Sequence, residues 1–255
     1  MQLQFGAGKI YAKPITDAYG NAVAIPTPVR IAGTQEFSLE MSGDLKEYHG
    51  SGRFALAVAQ GKVKVSGKLK AALINGATLN SLFFGTGFTA GTMHAIKEDT
   101  VGAVVPATPF QITPTVPNTG TFADDLGVVS ASGVSLVRVA SAPATGQYSV
   151  AAGVYTFATA DVGITMYISF RYTYASTGAK RIDLANLDMG QTPRFQLVYE
   201  GQFAGKRALV NLSSVVAPKL TMFSAKNDDF SVPEVEFSAQ TDDSGYNIGY
   251  LVTSE

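Results

Sequence analysis

The 255-residue sequence contains no cysteine and no tryptophan. The first absence removes disulfides, zinc–thiolate sites and thiol nucleophiles together, so stability has to come from packing. The second weighs against a glycosidase, which needs two carboxylates at a fixed separation in a cleft usually walled by aromatic platforms. Histidine is scarce as well: His49 and His94 sit in unrelated polar contexts, without HExxH or paired ligand spacing. Charged residues make up 15% of the chain, against roughly 25% in ordinary soluble domains. The surface is therefore covered largely by Ser, Thr, Gly, Asn and Gln, which suits packing against copies of itself. A net charge of −1 leaves no basic field to collect nucleic acid by phosphate neutralisation. No apolar run approaches the roughly 18 residues of a membrane span, and residues 1–8 lack the basic and apolar regions of a signal peptide. The expectation is a chain that accumulates in the cytoplasm where it is made.

The hydrophobic content is 46%, enough for one large β domain or two smaller ones. Gly and Pro recur at short intervals, and the segments between them alternate apolar and polar residues and favour Val, Ile, Thr, Phe and Tyr. This is an all-β pattern. In Lys62-Val63-Lys64-Val65-Ser66-Gly67-Lys68-Leu69-Lys70 a period of two puts the apolar residues on one face and four lysines on the other. Ile164, Met166, Ile168, Phe170, Tyr172 and Tyr174 likewise share a face. Further strands are expected at residues 9–13, 29–31, 35–41, 134–140, 154–157, 195–200, 208–212, 220–224 and 234–238. One short helix is expected, capped by Asn75, presenting Leu79, Leu82 and Phe83 on one face, ending at Gly85, and plugging an open end or face of a sheet. The proline-rich stretch from Val104 to Pro117 and the loose segment around Gly178 suggest an inserted domain at residues 104–177, between outer segments 1–103 and 178–255.

A search for chemistry finds no GxSxG elbow and no Walker-type loop, and Gly85-Thr86-Gly87 with Gly91 follows the helix instead of opening one. Asp124-Asp125, Asp228-Asp229 and Asp242-Asp243 lack EF-hand spacing or a base-orienting partner and read as solvated turn carboxylates. No catalytic, cofactor or metal residue is assigned, and the chain is not expected to be an enzyme. What does draw notice is residues 41–60, polar, glycine-rich and of mixed charge, read as a long protruding hairpin loop between two strands. Many strand edges with few charges to protect them point to self-association.

Several stretches resemble phage tail tube proteins. They are Phe5-Gly6-Ala7-Gly8-Lys9-Ile10-Tyr11-Ala12, Asp17-Ala18-Tyr19-Gly20-Asn21-Ala22 before Pro26-Thr27-Pro28-Val29-Arg30, and Gly61 to Lys68 leading into Ile74-Asn75-Gly76. Gly146-Gln147-Tyr148-Ser149-Val150 with Gly153-Val154-Tyr155-Thr156-Phe157, Met189-Gly190-Gln191-Thr192-Pro193-Arg194-Phe195 and Lys226-Asn227-Asp228-Asp229-Phe230 share the likeness. The resemblance implies a β-sandwich or flattened barrel with one flanking helix, carrying an inserted small β-sandwich of immunoglobulin-like type. It implies hexameric rings stacked into a hollow tube, part of the virion, through which the genome leaves the capsid. The implied partners are further copies of the chain and other tail proteins: tape measure, tail terminator, baseplate or tip, and a sheath if the tail is contractile. Genome DNA would pass without tight binding, and no membrane is involved. A capsid or head-decoration protein is the alternative, and a carbohydrate-binding β module a more distant one.

Two sets of residues follow as expectations. Asp44, Lys46, Glu47, Tyr48, His49 and Arg53 would form the inter-ring contact loop, their mixed charges setting register more than affinity. Glu234, Glu236 and Ser238 would line the lumen, because the lysine face of Lys62, Lys64, Lys68 and Lys70 would hold passing phosphates. Those lysines would then turn elsewhere and be neutralised by a neighbouring strand or subunit, with Glu36 and Glu40 the candidates.

Overall fold

The computed structural model describes residues 6, 8–73, 76–222 and 230–254. The chain runs through β1 (Lys9–Thr16), β2 (Val29–His49) and β3 (Ala55–Leu73), then a helical turn α1 (Gly76–Leu79) continuing as a wider π-type turn over Asn80–Phe84. It goes on through β4 (Thr89–Lys97), β5 (Ala103–Val104), β6 (Gln111–Ile112), β7 (Thr121–Ser130), β8 (Val137–Arg138), β9 (Gln147–Ala151), β10 (Val154–Phe157) and β11 (Thr165–Arg181). It ends with β12 (Arg194–Phe203), β13 (Lys206–Thr221), β14 (Glu234–Gln240) and β15 (Gly249–Thr253). The fold is all-β, its sheets antiparallel apart from the short parallel β8–β9 pairing, and the chain divides into two compact units, Met1–Phe88 with Ile182–Glu255, and Thr89–Arg181.

The first unit is a sheet closed on itself. Its strands pair in the order β12-β1-β2-β3-β14-β13, and β13 pairs back onto β12. β12 takes one edge of β13, so β14 and β15 share the other, β14 along residues 214–221 and β15 along residues 208–212. The period of two sorts each strand into an inner and an outer face. Ile10, Ile31, Val65, Leu69, Phe195, Leu197, Tyr199, Leu212, Val215, Val235 and Phe237 turn inward and form the core. Within it the Phe37 ring stacks between Tyr199, 4.1 Å away, and Phe237, 5.9 Å away. Leu82 enters the core from the helical turn, near Ile31, Leu69 and Phe195, so the helical segment closes that end of the barrel, as expected. Gly85 ends it at φ +59, where an added Cβ would stand 2.6 Å from the Ala18 nitrogen. Asn75 and the Leu79 side chain lie outside the described residues.

The second unit packs two sheets, β6-β10-β9-β8 and a β11-centred sheet with β4 and β5 along one edge and β7 along the other. The alternation in β11 buries Met166, Ile168, Phe170 and Tyr172 against Val105, Val128, Tyr148, Tyr155 and Phe157. The division falls at 88/89 and 181/182, outside the 103/104 and 177/178 read from the sequence. The reason is a pairing: the incoming strand β4 and outgoing strand β11 form an antiparallel ribbon from Thr89↔Arg181 to Lys97↔Phe170. The prolines begin only after that ribbon. Asp125 also departs from its sequence reading. It lies in β7, not in a turn, and its carboxylate accepts the Tyr148 hydroxyl at 2.6 Å and the Tyr155 hydroxyl at 2.9 Å, with Arg138 at 3.6 Å. Burial first, and then the facing Asp125 carboxylate, push both phenols well above their ordinary value.

Candidate functional site

Up to Met41 and Val65 the β2–β3 pair belongs to the barrel wall, with Leu69 and Val65 buried. Beyond that pair β3 loses its β14 partner, whose register with it ends at Ala239↔Val65. The two strands continue alone as an exposed two-stranded arm over residues 42–64. The segment expected as a loop is thus strand almost to its end, with only residues 50–54 outside the ladder. The six residues assigned to contact are all on this arm and all exposed. His49 Nε2–H donates to the Glu47 carboxylate at 3.0 Å. The directly opposed pairs Leu45↔Gln60 and Glu47↔Val58 set one face, while Lys46↔Ala59 and Tyr48↔Ala57 set the other.

Charge turns out not to be the arm's main feature. Leu45, Tyr48, Phe54, Leu56 and Val58 are each more than half exposed, and residues 54–60, Phe-Ala-Leu-Ala-Val-Ala-Gln, carry no charge at all. An uncharged, proline-free run with apolar side chains on an open strand edge adheres to other strands unless it is covered. In the sequence the signal for this feature is the period-two recurrence of Phe54, Leu56 and Val58, which follows directly on a longer polar stretch.

A second exposed apolar feature sits at the arm's root. Leu39, Met41, Val65, Val210, Leu212, Ile248 and Leu251 line a slot of about 240 Å³ between β15 and the β2–β3 wall. Met41 is opposed to buried Val65 and Leu251 to buried Val210, so both point inward. They are nevertheless 70% and 64% exposed, because among the described residues no strand spans the gap that opens where β14 ends. The helical segment closes one end of the barrel and leaves this one uncovered.

The outer face of the wall carries a ladder of opposite charges. Across β2, β3 and β14 run Glu36, Lys70 and Glu234, and across β2, β3, β14 and β13 run Ser38, Lys68, Glu236 and Lys219. Lys70 bonds Glu36 at 2.6 Å, Lys68 bonds Glu234 at 2.8 Å, and Lys219 bonds Glu236. Hydrogen bonding to these ammonium groups holds the Glu36 and Glu236 carboxyls below their ordinary value, and Lys68 and Lys219 are raised by the same contacts. The expected opposition of Glu36 to a lysine is present. The expected separation of a glutamate face from a lysine face is not: Glu236↔Lys68 and Glu234↔Lys70 are directly opposed partners, so Glu234, Glu236 and Ser238 share one surface with the lysines. Alternation settles which residues share a face within one strand, but only the register settles which faces coincide.

In the second unit a cleft of about 480 Å³ is floored by Ile112, Ile168 and Phe170 and edged by Lys97 and Asp99. Burial would raise the Asp99 carboxyl, but the N–H groups of Gly102, Val101 and Ile168 outweigh it and hold the group below its ordinary value. Those bonds bridge the break in the β11 edge between β4 and β5, a structural task. Asp243 pairs with Arg194 at 2.7 Å and Asp242 accepts from Ser244, while Asp228-Asp229 lie outside the described residues. Among the described residues no group of three or more acidic or histidine side chains is placed to hold a metal ion. No family model matches the sequence, and no curated protein matches it.

Proposed function

We propose that this chain is a self-assembling structural subunit of a phage tail tube. Copies join in hexameric rings, the rings stack into the virion's conduit for genome delivery, and no catalysis is involved. The observation that carries the reading is the arm over residues 42–64, exposed along its length and apolar at its end. The sheet closes through β12 and β13 without the arm, so the arm is free to serve contacts between molecules.

The charge ladder supports the same reading. Its three carboxylates and three ammonium groups are already matched within the subunit. A channel faced by them would offer a passing duplex few free cations, and the salt-dependent phosphate contacts that slow DNA would be weak. Negative-stain microscopy of the purified chain tests the proposal. Open tubes or stacked six-fold rings are the expected result; closed shells or trimers would favour a capsid or decoration protein, and monomers at high concentration would refute self-assembly.

A further inference from the structure

We infer that the slot at the open end of the barrel receives residues 54–60 of the arm of a second copy, laid beside β15 as an added strand. The inference rests on the reading of the chain as a self-assembling subunit. Among the described residues β15 pairs only with β13, and β3 beyond Val65 pairs only with β2, so two open strand edges border the slot. Its lining has no charged side chain, and neither do residues 54–60. At about 240 Å³ it is smaller than the roughly 300–1,000 Å³ of a small-molecule pocket, and it suits the side chains of one strand.

In strand addition, main-chain hydrogen bonds supply affinity and pockets for alternate side chains supply specificity. Leu56 and Val58, 71% and 57% exposed, are the side chains available to fill it. The chain's own arm does not occupy the slot, since no residue past the Met41–Val65 pair lines it. Each molecule therefore carries an uncovered apolar strand and an uncovered apolar slot, and one contact between copies covers both. A contact joining two different patches is heterologous, and its repetition builds a closed ring or an open filament.

The absence of native cysteine makes the test direct. Val58→Cys and Leu251→Cys proteins are prepared separately, given distinguishable tags, mixed and mildly oxidised. The expected product is a covalent dimer containing one of each, with neither variant crosslinking alone. Assembly without that mixed product, or Val58→Cys dimers formed arm to arm, would overturn the inference while leaving self-assembly standing. A mixture that does not assemble at all would remove both. As a second measurement, Leu56→Asp with Val58→Asp alters only side chains exposed in the free chain, so its melting midpoint should match the unaltered protein. The concentration for half-assembly in sedimentation should rise at least tenfold, and unchanged assembly would also overturn the inference.

Discussion

A methyl group added at Gly67 would lie 2.3 Å from the Phe237 ring and 2.3 Å from the Ser38 carbonyl oxygen. Gly67 occupies an inward position of β3, opposite Phe237 on β14 and Leu39 on β2, and its missing side chain makes room for the Tyr199–Phe37–Phe237 stack. Gly67→Ala should therefore overpack the barrel and cost about 1–3 kcal/mol, read as a lower urea midpoint. In the sequence Gly67 was only a gap in an alternating run, because the ring it accommodates is 170 residues away. Asp125 poses a similar problem. An Asp-Asp pair reads as a turn until β7 is known, and the mixed composition of Thr121–Ser130 hides that strand. Asp125→Leu leaves two buried phenols without their acceptor and should destabilise the second unit by about 1–3 kcal/mol. Tyr148→Phe, which removes one donor and leaves the carboxylate partnered by Tyr155, should cost less.

At the scale of elements, the charge ladder predicts a pH window. Glu36 and Glu236 lie below their ordinary 4.5, so their contribution is present above that value and lost as pH falls through the lowered one. Lys68 and Lys219 lie above their ordinary 10.5, so theirs is complete below that value and lost as pH rises through the raised one. The melting-midpoint difference between the protein and Glu236→Gln/Lys219→Met should be flat between those limits, shrink on either side, and shrink throughout in 1 M salt, where the screening length is about 3 Å. A difference unaffected by salt would show that the pair acts through packing. Much of the fold was legible: the β3 alternation, the barrel strands at residues 29–31, 195–200 and 234–238, the strand at 154–157 in the second unit, and the helical plug all follow from local pattern. The β4, β7, β9 and β15 strands were not, nor were the two-residue β5 and β6. Thr89–Lys97 is exposed along most of its length, so no inner face stamps a period on its sequence, and Gly249–Thr253 faces an uncovered slot.

For the whole molecule, the ribbon of β4 and β11 decides where the insert can be removed. Cutting at residues 104–173, as the prolines suggest, would strip β4 of its partners from Phe170 to Thr173. Met93 and Tyr174 are directly opposed, so joining them through Asn-Gly in place of residues 94–173 should leave the ribbon closed by a tight turn. The product should keep the barrel's cooperative unfolding; under the tail-tube proposal it should also still assemble, into tubes of unchanged diameter that have lost the density of the insert. Failure to assemble while still folded would make the insert part of the wall.

The order in which the barrel's strands leave the ribosome carries a consequence for synthesis. β1 waits for β12, and β3 waits for β14, so the first hairpin emerges with both flanks bare and stays so until more than 100 further residues have been made. At roughly 5–20 residues per second this lasts several seconds or more. The second unit finds its β partners within residues 89–181 and can fold during that wait. The uncharged end of the arm is exposed throughout, on polysomes that hold many identical nascent chains close together. Premature association between nascent chains is thus the hazard this topology creates, and slower growth temperatures or a chaperone that holds extended apolar strands should raise the soluble yield.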